Sequence, residues 1–230
     1  YGGDSYGFRR RGLLPVAIKY LLIINAALYV ADWVSRYLFL QGVVPEVYLG
    51  LFESRHGILA LHPNLDPNLE RAWGIFRPWQ IITYMFMHGG IGHVGINMFM
   101  LWMFGVEVEE RWGTRHFTIY YFLCGIGGAF LQIIVPTLLN QDPAPVVGAS
   151  GAVAGALLAY GLMFPTRRLV LFPIPIPVRA KWFVVIYIMV ELFRGFSGRG
   201  GIAHFAHLGG MLFGYIYIRY QQRRRRFIRY

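Results

Sequence analysis

Three short stretches of this 230-residue chain hold the side-chain types that can move a proton or attack a carbonyl. "HGGIGHVGINM" carries His93 and Asn97, four residues apart and therefore on one face of a helix. "GASG" places Ser150 between glycines and alanines, at the head of "PVVGASGAVAGALLAYG". "IAHFAHLGG" supplies His204 and His207. A serine hydroxyl is a weak nucleophile until a neighbouring base accepts its proton, and a neutral imidazole is such a base. Ser150 beside His207 would let the serine attack a carbonyl while the ring takes the proton and later returns it to a leaving amine. The negative charge that develops needs donors. The Ser150 backbone N–H, the Asn97 amide and the His93 ring are suitable types. Glu191 falls near the outer end of an apolar segment with nothing else to recommend it. No other acid is placed to orient the base, so the residues read as a Ser–His dyad.

Each residue also has a plainer role. A lone serine in a membrane helix commonly bonds back to the carbonyl four residues earlier. His207 alone would serve as a helix–helix hydrogen bond, and Asn97 as interhelical glue. His204 is read as structural or water-contacting, and His88 as an organiser of the loop or cavity mouth. Glu109 and Arg111 are expected to pair on the cytoplasmic side. Depth in a membrane separates the catalytic reading from these.

The chain is 56% hydrophobic and 14% charged, against about 25% charged in soluble domains. Six segments have the apolar character of membrane helices, near 14–34, 90–106, 116–136, 148–164, 180–194 and 202–219. The expected architecture is an all-α membrane protein, a six-transmembrane-helix bundle spanning 14–220. Residues 1–13 form an N-terminal tail and residues 221–230 a basic C-terminal tail. The connection 35–89 is too polar to span and too apolar to float in water. Its "RPWQIITYMFMH" reads as an interfacial or membrane-dipping piece with Trp and Tyr as headgroup anchors. With six spans and both termini cytoplasmic, 16 of the 22 basic residues fall inside, the usual bias. The expected location is the cell membrane, and the lipid bilayer is one partner.

In that topology the second, fourth and sixth spans all enter from the outer face. At 1.5 Å rise per residue, Ser150 and His207 lie within roughly 10 Å of the outer boundary. "GAVAG" (Gly151, Gly155) and "GMLFG" (Gly210, Gly214) are small-xxx-small patterns that let two backbones approach closely. Absence of bulk around Ser150 is what would admit the helix bearing His207.

These residues resemble the rhomboid intramembrane serine proteases, over roughly residues 75 to 219. "GASG" is similar to the family's GxSG nucleophile motif and "AHLGG" to its catalytic-histidine helix. "HGGIGHVGIN" resembles its HxxxxHxxxN oxyanion segment, and "VEERWG" its Glu-x-Arg element. The resemblance implies six helices around a water-filled cavity open to the outside, and cleavage of single-span membrane proteins near their outer boundary. It implies Ser150 as nucleophile, His207 as general base, and Asn97 and His93 in the oxyanion hole. Residues 35–89 would be the membrane-dipping loop, and the fifth helix, with Trp182 and Phe183, would border the substrate's lateral route. Relatives often carry an aromatic residue one turn after the nucleophile, packed on the imidazole. Here that residue is Ala154, so the packing partner of His207 is unassigned.

Other functions fit less well. An inactive relative that only binds membrane helices typically lacks the serine or the histidine, and both are present. A metal-dependent hydrolase could recruit His88, His93, His204 and His207, yet no HExxH occurs. No cofactor is called for. A transporter would carry midplane ionisable residues or paired broken helices. The net charge of +11 sits in clusters suited to headgroups, so no nucleic acid partner is expected. Oligomeric state is not encoded in any feature of the sequence.

Overall fold

The computed structural model describes residues 14–44, 57–62, 76–139, 145–171, 174–197 and 203–225. The N-terminal tail (1–13), the middle of the long connection (45–56 and 63–75), residues 140–144, 172–173 and 198–202, and the last five residues lie outside the described residues.

Helix α1, Val16–Leu40, outruns the apolar segment expected from sequence and stops at Gly42. Gly42 takes the left-handed conformation at φ 68°. Its N–H bonds the Phe39 carbonyl, and the Val43 N–H bonds the Leu38 carbonyl at 2.9 Å. This is a Schellman ending, which satisfies carbonyls that a helix end would otherwise orphan. At the other end, the first N–H groups of α1 point at a carboxylate. Ala17 and Ile18 each donate to Glu109 at 2.8 Å, and the Thr114 hydroxyl donates to the same carboxylate at 2.7 Å. Glu109 is buried. It therefore caps α1, where an anion meets the positive helix end, and does not pair with Arg111 as the sequence reading had it. Among the described residues Arg167 forms an ion pair with Glu107.

A short helix α2, Gln80–Thr83, and a 3-10 turn, Tyr84–Phe86, follow the connection. Gln80 and Tyr84 are buried, and the Tyr84 hydroxyl donates to the Gly125 carbonyl at 2.7 Å. Tyr84 is thus a core residue rather than a headgroup anchor. Trp79 remains half-exposed, its indole N–H on the Ile58 carbonyl. Leu61 and Val146 form an antiparallel bridge that ties the connection to the chain entering the serine segment.

Helices α3, Ile91–Trp112, and α4, Thr114–Leu138, meet at a single residue, Gly113, whose φ of 81° turns the chain. Helix α5, Ser150–Met163, is buried from Gly151 to Gly161. Such all-round burial marks the centre of a bundle. Helices α6, Ala180–Phe196, and α7, His204–Arg225, complete it. Among the described residues three helices, α1, α3 and α4, are long and apolar enough to cross a bilayer by length and composition. Helix α5 has 14 residues, about 21 Å at 1.5 Å per residue. Helix α7 continues through Arg225, into the region read as tail.

The chain is not purely helical. Strands β1, Arg168–Leu171, and β2, Ile174–Arg179, form an antiparallel hairpin before α6, pairing Arg168 with Arg179 and Leu169 with Val178.

Lipid offers no hydrophobic gain for helix association, so close contact has to supply it. Helix α7 packs on both α4 and α5 through glycines. A side chain at Gly210 would overlap the Gly151 carbonyl, and one at Gly209 would overlap the Gly127 carbonyl. Gly155 lies so close to Cys124 that a Cβ would overlap its sulfur.

Candidate active site

The serine is presented by a sharp entry into α5. Gly148 has φ 123°, a conformation that L side chains rarely adopt, and its N–H bonds the Tyr84 carbonyl at 2.8 Å. A Cβ there would come within 2.8 Å of the His93 ring. Glycine therefore does two jobs at this position. Ser150 is the first residue of α5, so its N–H belongs to the group that no intrahelical carbonyl serves.

Helix α7 is held at its start by Gln132 of α4, whose side-chain carbonyl accepts the Ala206 N–H at 3.1 Å. The Gly151–Gly210 contact then sets α5 and α7 backbone to backbone. The result is a hydrogen bond between His207 Nε2 and Ser150 Oγ at 2.7 Å. This is the serine–imidazole contact that the small residues around Ser150 make room for.

On its other nitrogen, His207 faces α6. Nδ1 lies 3.1 Å from the Tyr187 hydroxyl and 3.1 Å from a Glu191 carboxylate oxygen. The second Glu191 oxygen is 2.7 Å from His204 Nδ1. Glu191 and both histidines are buried. The expectation that no acid stands near the base is therefore corrected: Glu191 touches it. Tyr187 also answers the question left by Ala154. Its ring lies 6.1 Å from the His207 ring at 34°, so the aromatic partner comes from α6. The signal for Glu191 was present in the sequence. An acid inside an apolar helix needs a partner, and two histidines sat at the same end of the next helix.

His93 has its ring set by the backbone. Nδ1 accepts the Gly89 N–H at 3.2 Å, which leaves the ring proton on Nε2. That nitrogen faces Gly148, and His93 and Ser150 line the same cavity. Asn97 uses one amide hydrogen on the His93 carbonyl at 2.9 Å and keeps the other. His88 is buried with its ring edge-on to His93, centroids 5.2 Å apart. Burial pushes its pKa down to about 4, with the neighbouring His93 adding to the effect. It stands as a buried support against the His93 ring.

A cavity of about 480 Å³ joins these groups, lined by His93, Asn97, Ser150, Ala154, Tyr187 and His207 among others. Of the two residues expected along a lateral route, Trp182 is exposed, while Phe183 stacks on Phe104 6.4 Å away. Among the described residues no group of three His, Cys, Asp or Glu is arranged to hold a metal ion. A serine, an imidazole aligned on it and at least two N–H donors around one cavity form a set suited to acyl transfer.

A rhomboid domain matches residues 76–224. The chain is 32% identical to Rhomboid protein 1, mitochondrial, of Saccharomyces cerevisiae over 139 residues, 60% of this chain and 40% of that protein. It is 30% identical to Rhomboid protease GluP of Bacillus subtilis over 139 residues, 60% of this chain and 25% of the relative. Rhomboid-like protease 3 of Toxoplasma gondii is 31% identical over 62% of this chain and 51% of its own length. The matched part is thus between about a quarter and a half of each relative's length.

Proposed function

This chain belongs to the rhomboid family, and from that membership and the Ser150–His207 contact we propose that it is an intramembrane serine endopeptidase. Its substrates are single-span membrane proteins, cleaved near the outer boundary of the bilayer. The 2.7 Å hydrogen bond between His207 Nε2 and Ser150 Oγ carries the proposal. His207 accepts the hydroxyl proton as Ser150 attacks the scissile carbonyl carbon. The carbonyl oxygen, now negative, lies toward the Ser150 N–H, His93 Nε2–H and the free Asn97 amide hydrogen. His207 then gives its proton to the departing amine, and water hydrolyses the acyl-enzyme by the same relay in reverse.

The bundle crosses the cell membrane six times with both termini cytoplasmic, and the cavity opens outward. That GluP is named a protease supports the assignment by kinship. The test is cleavage of a single-span reporter in liposomes. The parent protein cuts it, and Ser150→Ala lowers the rate by about 10⁴-fold or more with an unchanged unfolding midpoint. Cleavage by the purified alanine variant at the parent rate would refute the proposal.

A further inference from the structure

Glu191 is the polar group the mechanism so far leaves unused. It rises from α6 into the contact between α6 and α7, buried, and each of its oxygens meets a different imidazole: His207 Nδ1 at 3.1 Å and His204 Nδ1 at 2.7 Å. A carboxylate only accepts hydrogen bonds. It therefore favours the proton on Nδ1 of both rings, and the Tyr187 hydroxyl, also 3.1 Å from His207 Nδ1, is able to accept from the same N–H. For His207 that leaves Nε2 as a lone pair, and Nε2 is the atom beside the serine hydroxyl.

We infer that Glu191 is a positioning residue for the proposed protease reaction, fixing the tautomer and orientation of His207 and balancing the imidazolium formed when Ser150 gives up its proton. The inference rests on the Ser–His reading above and extends the dyad to a Ser150–His207–Glu191 relay. His204 is the clamp on the other oxygen. Its remaining ring nitrogen has no partner among the described residues, so Glu191 is the contact that accounts for its burial. Tyr187, one turn before Glu191, meets the ring edge at Nδ1 through its hydroxyl, its own ring tilted 34° to the imidazole, and so limits rotation of the His207 ring. No electron or atom beyond those of peptide hydrolysis is required, because Glu191 accepts a hydrogen bond throughout and gains no proton.

Glu191→Gln keeps the shape and removes the charge. The amide can donate to His207 Nδ1, which favours the tautomer carrying its proton on Nε2 and unable to serve the serine. In liposomes kcat is expected to fall by about 10²- to 10⁴-fold, as when an acid loses its hold on a base histidine, with KM within about threefold. Titratable groups facing the pair are Tyr187 on α6, His204 on α7 and, across the serine, His93 on α3. With these unchanged, the acid limb of the kcat/KM profile moves to lower pH in the Gln variant, because the imidazolium has lost its counter-charge. Glu191→Asp restores a carboxylate and is expected to recover at least about tenfold over Gln. A Gln variant whose kcat stays within about threefold of the parent overturns the inference. So does a loss that Asp does not relieve and that raises KM while kcat holds.

Should the Gln variant not fold, nitrogen-15 spectra of the parent labelled at histidine decide alone. The His207 signals, identified by their loss in a His207→Ala sample, must show protonated Nδ1 and bare Nε2 near neutral pH. The opposite pattern overturns the role of Glu191. Ser150→Ala, run beside these variants, separates the two ideas. Its activity would reject the protease reading itself, whereas an active Gln variant beside an inert alanine variant rejects only Glu191.

Discussion

A hydroxyl becomes a nucleophile only where its proton has somewhere to go, and Ser150 has His207 Nε2 at 2.7 Å. Donors around the cavity follow the same logic. The Gly89 N–H sets the His93 tautomer so that its Nε2–H is available. Removing one such donor from a reaction of this type lowers kcat by about 10²- to 10³-fold. His93→Ala and Asn97→Ala are each expected to do so with little change in KM, checked by initial rates on the reporter. A rise in KM of the same size with kcat unchanged would place both residues in ground-state binding instead. His88 makes a separate prediction. Its folded pKa of about 4 lies below the ordinary histidine value of about 6.5. Between these values the unfolded chain binds the extra proton, so stability is full above about 6.5 and is lost as pH falls toward 4. The limit is on the order of 3 kcal/mol. Unfolding midpoints in detergent should fall over that window, and His88→Phe should flatten the fall; an identical slope in the variant would contradict the assignment.

Elements meet here through missing side chains. Gly210 against the Gly151 carbonyl leaves no room for a methyl group, and both neighbours are backbone, which cannot swing aside. Gly210→Ala should lower stability by roughly 1–3 kcal/mol and widen the Ser150–His207 gap. Both a reduced unfolding midpoint and a reduced kcat are therefore expected, and an unaltered variant would show that the helices are not held by this contact. Glu109→Ala strips the cap from α1 and leaves the Ala17 and Ile18 N–H groups without their acceptor. A loss of about 1–3 kcal/mol follows, read by thermal unfolding. Apolar runs made the long helices legible in the sequence, and the glycine patterns named their contacts. That Ser150, His207, His93 and Asn97 would meet was legible because each stands near the start of its helix, and the four line one cavity. Three features were not. Glu191 stands alone in an apolar run, so only its partners reveal it. The β1–β2 hairpin is written with alternating prolines that give a weak strand pattern. Tyr84 looks like an interfacial anchor until the Gly125 carbonyl is found above its hydroxyl.

For the whole molecule, the proposed topology is testable. Basic residues crowd the ends of the chain and the turns between alternate helices, and the proposal puts these on the inner side. The single cysteine, Cys124, is buried, so introduced cysteines report against a silent background. An impermeant maleimide should label Pro145→Cys in intact spheroplasts and Arg223→Cys only after lysis; the reverse would invert the topology and put the cavity on the other side. The account as a whole stands on Ser150 being the activated nucleophile. Treating the purified protein with a serine-reactive phosphonate and locating the adduct by mass spectrometry tests this directly. The adduct is predicted on Ser150 and absent when His207 is replaced by alanine, while modification of any other residue, or equal labelling without His207, would contradict it.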